Sequence, residues 1–162
     1  QPVVEKFPSI FEAYYFSEMR DKLGLLTTKP QDEKLILQLL DYMAQYEADF
    51  TNTFRALTDG HHPTNALFQS QEFTQWEQQW HVRLMDQGTT IDETRQLMIS
   101  VNPVVIPRNH LVEQAIHEFV DGEPSFFLQL LQAVTNPYSP ADATFTNPPT
   151  DDTPPFVSYC GT

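Results

Sequence analysis

Apolar residues recur at intervals of three and four along most of the chain, and the short stretches between them carry Pro, Gly or capping side chains. No run alternates apolar and polar positions convincingly enough for a half-buried strand, so the pattern predicts an all-α chain. The first helix opens at "SIFE", where Ser9 and Glu12 have capping-box spacing. It presents Phe11, Tyr15, Met19 and Leu23 on one face and stops at Gly24. The second follows Pro30 and Asp32 with a stripe of Ile36, Leu39, Leu40 and Met43, and a short continuation from Asp49 carries Phe50, Phe54 and Leu57 toward Gly60.

A third cluster, "SQEFTQWEQQWHVRLMDQG", sets Phe73, Trp76, Trp80 and Leu84 on one helical face, a spacing that belongs to a core, with two indole N–H groups that need acceptors. "TIDE" is a second capping box, from Thr90 to Glu93, leading a helix through Leu97, Met98 and Val101 that ends near Pro103. The connector "NPVVIPRN" is stiff. After it Asn109 is placed to cap a helix whose Val112, Ala115, Ile116 and Phe119 face inward as far as Gly122, and Pro124 suits the first turn of a last helix ending near "TNPY". The periodicity predicts a shared core containing Phe11, Tyr15, Ile36, Leu40, Phe54, Trp80, Ile116 and Leu131. Arg108 and Asn109 are expected to fix the bend between two helices through hydrogen bonds to backbone carbonyls or a carboxylate.

After Asn136 the texture changes. Residues 136–162 hold six of the thirteen prolines and no Lys or Arg, which divides the chain into a helical domain, 1–135, and an extended Pro-rich tail, 136–162. Phe145, Phe156, Val157 and Tyr159 give the tail apolar area with which to dock on the body. The tail also bears the sole cysteine, Cys160, third from the end. That position favours chemistry over packing, with an idle solvent thiol as the alternative. One cysteine forms no internal disulfide, which favours an intracellular compartment. A chain that starts Gln1-Pro2, without methionine, reads as a processed product or an excised piece of something longer.

Charge and motifs then remove function classes. Twenty-two acidic against nine basic residues leave a formal net charge of −13, and no Lys or Arg follows Arg108. That balance argues against nucleic acid and anionic membrane surfaces. No apolar run approaches the ~20 residues of a membrane span, and "QPVVEKFPSIF" lacks a signal peptide's layout. The five glycines sit at turns and helix stops rather than in a phosphate loop, and no nucleophile-elbow or cysteine-protease pattern is present. His110, Glu113 and His117 lie at i, i+3 and i+7, with His61 and His62 as possible additions. Their spacing is not that of known helical metal sites, and an exposed polar face explains it better. No catalytic, cofactor-binding or metal-binding residue is therefore assigned.

"DKLGL" at 21–25, "DFTNTFRAL" at 49–57, "VNPVVIPRNHLVEQAI" at 101–116, "NPY" at 136–138 and Cys160 occur in the order seen in the selenoprotein O family. Over essentially its whole length the chain resembles that family's C-terminal portion. Asn102, Pro103, Arg108 and Asn109 are the most specific part of the match, because helix patterning does not explain them. The resemblance implies the helical end of a kinase-like fold. The parent protein would transfer AMP from ATP to Ser, Thr or Tyr hydroxyls of protein substrates with Mg2+ or Mn2+, while its catalytic residues lie upstream and the present residues are inactive alone. It also implies a redox role for Cys160, a partner in the upstream catalytic region, and a location that is cytoplasmic if bacterial and mitochondrial if eukaryotic. The ending departs from the family's usual Ser-rich one, with Tyr159 before the thiol and Gly161-Thr162 after it. The competing reading is an independent acidic helical module that binds another protein.

Overall fold

The computed structural model describes residues 3–150, with side chains from residue 6 onward. Cys160, Phe156, Val157 and Tyr159 lie outside the described residues. Among those described, the regular structure is entirely helical: α1 (Val3–Lys22), α2 (Asp32–Gln45), α3 (Phe50–Asp59), α4 (Ala66–Gln69), α5 (Gln71–Met85), α6 (Ile91–Val101), α7 (Asn109–Val120), α8 (Ser125–Thr135) and α9 (Ala143–Thr146). They fall into two compact units, Gln1–Asn102 and Pro103–Thr162.

In the first unit the core is built from one stripe per helix. Phe16 and Met19 of α1, with Leu23 just after it, meet Leu35, Ile36, Leu39 and Met43 of α2, Phe54 and Leu57 of α3, Phe73, Trp76 and Trp80 of α5, and Met98 of α6. Complete burial of one such aliphatic or aromatic side chain stabilises by about 1.5–3 kcal/mol. Both indoles find acceptors: Trp76 Nε1 donates to Leu35 O at 2.8 Å and Trp80 Nε1 to Leu23 O at 2.9 Å. The capping box expected at Thr90 and Glu93 forms, and the Asp49 side chain caps α3 by accepting from Asn52 N.

The register of α1 differs from the sequence expectation. The helix begins at Val3 rather than at Ser9, whose hydroxyl donates to Lys6 O instead of capping a first turn. Its buried stripe runs Phe16, Met19, Leu23, so Phe11 and Tyr15, expected in the core, are exposed. Ile36, Phe54 and Trp80 are buried and Leu40 packs against the cluster from its edge. The other correction lies in the second unit. There α7 and α8 pair along a single seam of Leu111, Ala115 and Leu130, and Ile116 and Leu131 stay about half exposed. Two helices bury only the stripe that faces the partner, so the flanks of each apolar face remain in solvent. The expected shared core is two separate clusters.

Helix starts in this unit also shift by one residue. Arg108, with extended backbone, takes the N-cap position expected of Asn109 and accepts from Leu111 N and Val112 N through its carbonyl; Pro124 precedes α8 instead of opening it. Within the segment expected to be extended, α9 forms one turn capped by the Asp142 side chain, and Phe145 packs on the α7–α8 seam with its ring 5.9 Å from that of Phe126.

Candidate functional site

The strongest polar constellation grows out of the end of α6. Asn102 is buried, at 1% exposure. Its Nδ2 donates to Lys22 O at 2.8 Å and to Thr58 Oγ1 at 2.9 Å, and the Thr58 hydroxyl in turn donates to Phe54 O at 2.8 Å. Its Oδ1 accepts from Lys22 Nζ at 3.4 Å, and the same ammonium donates to Val101 O at 3.0 Å. Asn102 and Lys22 together thus satisfy the Lys22 and Val101 carbonyls at the ends of α1 and α6 and the Thr58 hydroxyl in the last turn of α3. Lys22 Nζ also lies over the rings of Phe50 and Phe54, at 5.9 and 5.7 Å. Burial pulls its pKa below the ordinary lysine value, with Glu18 acting in the opposite sense.

Beside this hub, Gly24 follows α1 with φ +70°, and a Cβ there would come within 2.5 Å of Thr94 Cγ2. Glycine is required both by the left-handed backbone and by the closeness of α6. Gln87 reads this turn from the far side of α5, donating to Gly24 O at 2.9 Å and accepting from Leu26 N at 3.0 Å.

In the second unit the connector is tied to the end of α8. Val104 N and Val105 N both donate to Pro137 O, at 2.7 and 3.1 Å, which brings "NPVVIPRN" against "NPY". Arg108 is buried and its Nη2 donates to Thr146 O at 3.1 Å, linking the connector to α9. Pro103 is half-buried and Asn109 exposed.

Sequence reasoning missed the buried pair of Asp32 and Arg83. The carboxylate is fully buried and receives Arg83 in fork geometry, Nε to Oδ1 at 2.6 Å and Nη2 to Oδ2 at 3.1 Å, while Lys29 N donates to Oδ2 at 2.8 Å and Arg83 also reaches Thr27 O. The signal was present: Arg83 stands three residues after Trp80 in the inward stripe of α5, where a cation needs a buried partner.

Among the described residues no group of three or more His, Cys, Asp or Glu is placed to hold a metal. His62 stands 3.0 Å from Glu77 and stacks on Phe68; His117 lies 3.6 Å from Asp121. Burial, and then the positive charge of Arg108, lower the pKa of His110. A cavity of about 410 Å3 opens among α3, α5 and α6, floored by Leu57, Trp80, Leu84 and Met98. Its carboxylate, Asp59, is already forked by Arg55 at 2.6 and 2.8 Å, and Gly60 is its only glycine. ATP with a divalent metal needs grouped carboxylates and a cradle of backbone N–H donors, and these residues do not fit it.

Residues 1–135 match the family model described as protein adenylyltransferase SelO. A protein nucleotidyltransferase YdiU of Clostridium perfringens is 43% identical over 161 residues, covering 98% of this chain and 33% of that protein. One of Bacillus mycoides is 42% identical over 165 residues, covering 100% of this chain and 34% of that one. A third, of Geobacillus kaustophilus, is 39% identical with the same coverage. The chain spans about a third of the length of the curated relatives it matches. A match of this extent, with the hub and connector residues inside it, means that the chain belongs to the SelO family of protein adenylyltransferases.

Proposed function

We propose that these residues are the C-terminal helical region of a longer protein adenylyltransferase, which moves AMP from ATP to Ser, Thr or Tyr hydroxyls of target proteins with Mg2+ or Mn2+. In this reading the catalytic groups lie in a kinase-like region upstream, and the helices described above brace that region without touching nucleotide. The observation that carries it is the combination of near-complete coverage of this chain with only 33% coverage of the relative. The grouping of polar residues around helix ends rather than around a phosphate-sized opening supports the same division of labour. The bacterial relatives favour a cytoplasmic setting.

Titration calorimetry of ATP–Mg2+ into the 162-residue chain is expected to give no binding heat. Micromolar affinity would place a nucleotide site within these residues and overturn the division. Cys160 is the proposed redox-responsive element. Replacing it by serine in the longer protein should leave AMP transfer under reducing conditions unchanged and abolish the difference between oxidised and reduced enzyme; an undiminished difference assigns redox control elsewhere.

A further inference from the structure

The first half of α1 carries an apolar surface that nothing in its own unit covers. Every residue from 6 to 15 is exposed, yet half of them are large and apolar: Phe7 at 64%, Ile10 at 48%, Phe11 at 58%, Tyr14 at 69% and Tyr15 at 36% exposure. Positions 7, 10, 11, 14 and 15 follow the i, i+3, i+4, i+7, i+8 rule and form one stripe. Phe7, Phe11 and Tyr15 stack in sequence along it, with centroids 6.1 and 6.0 Å apart. The core contacts of the helix come later along it, from Phe16 and Met19 and from Leu23 just past its end; at 100° per residue Met19 lies only about 40° round from Tyr15. α1 is therefore apolar along its length but covered only in its second half, and the first half carries its stripe uncovered. Five such side chains expose on the order of 500 Å2, the size of the largest apolar patch of a typical monomer, which is often an interaction site. A free-standing helical stretch of this length is also marginal in water, so its persistence needs contacts beyond itself.

We propose that this aromatic stripe is the docking surface on which the remaining part of the family's longer chain sits, an inference that rests on the reading of these residues as one region of a larger protein. Two observations select that occupant over a second copy. α1 lies inside the stretch matched by the family model, residues 1–135, so its partner is expected within the family's own chain, about two-thirds of which is not represented here. A formal net charge of −13 on every copy opposes self-association through a surface that offers little counter-charge. The apolar stripe, flanked by Lys6 and Glu12, calls for an apolar partner surface with a mixed polar rim.

Hydrogen exchange of α1, compared between the 162-residue chain and the longer protein, is the test. Amides of residues 8–16 are expected to be protected at least tenfold more in the longer protein. Phe11→Asp with Tyr14→Asp is expected to leave the melting temperature of the 162-residue chain unchanged and to lower that of the longer protein by several degrees. Equal exchange in both proteins overturns the proposal. So does a concentration-dependent dimer of the 162-residue chain that protects the same amides, because it names the second copy as occupant. Labelled-AMP transfer by the same longer protein separates the two readings: protection without transfer removes the proposed activity and leaves the docking surface standing, whereas transfer without protection does the reverse.

Discussion

The Asn102 side chain joins the end of α1 to the last turn of α3 by donating to Lys22 O and Thr58 Oγ1. Removing its amide leaves Lys22 O and Thr58 Oγ1 without their donor in a buried place. Asn102→Ala should destabilise the chain by about 2–3 kcal/mol in urea unfolding, the scale expected for orphaned buried polar groups. Asn109→Ala, seven residues on and exposed, should change it by less than about 0.5 kcal/mol. Equal effects of the two substitutions would contradict the hub. Asn102 stood out in the sequence because helix periodicity gave no reason for it. Its partners did not, since Lys22 and Thr58 are 80 and 44 positions away and no local pattern encodes such a meeting. Asp32 shows the same limit. Its place at the start of α2 is legible as a helix beginning, but its burial under Arg83 depends on α5 arriving from 51 positions further on.

At the scale of elements, helix boundaries followed local chemistry where a cap side chain or glycine stop was present, as at Asp49, Gly60 and Thr90. They failed at α1, where "SIFE" has capping-box spacing inside a helix that has already begun. The stripe Phe11, Tyr15, Met19, Leu23 was a true apolar pattern assigned to one face. Only Met19 and Leu23 of it enter the core, because every residue from 6 to 15 is exposed and the helix meets its own unit only from Phe16 onward. The four-residue α4 and α9 escaped notice, being too short to show a period. The Thr90–Glu93 box gives a prediction with a sign. Hydrogen bonds from the Thr90 backbone and hydroxyl hold the Glu93 carboxyl below its ordinary value of 4.5. Its contribution is thus present in full above that value and is lost as pH falls through the depressed folded value. Melting curves between pH 6 and pH 3 should show Glu93→Gln less stable than the parent at the upper end, with the gap closing on acidification. A gap that widens instead would contradict the box.

For the whole molecule, class and family were legible because they rest on features spread along the chain: helical periodicity and five collinear motifs. The distribution of core between two units was not legible. It depends on which stripes find partners, and apolar stripes at Ile116 and Leu131 look alike in sequence whether or not anything meets them. No helix among the described residues is long and apolar enough to cross a membrane. The central proposal is that these residues brace a longer adenylyltransferase without performing its chemistry. It is tested most directly by transfer of label from α-labelled ATP to protein, measured for the longer enzyme, for the same enzyme lacking these 162 residues, and for the 162-residue chain alone. The account predicts strong labelling by the first, labelling reduced at least tenfold in the second, and none by the third. Labelling by the 162-residue chain alone, or undiminished labelling when it is removed, would contradict it.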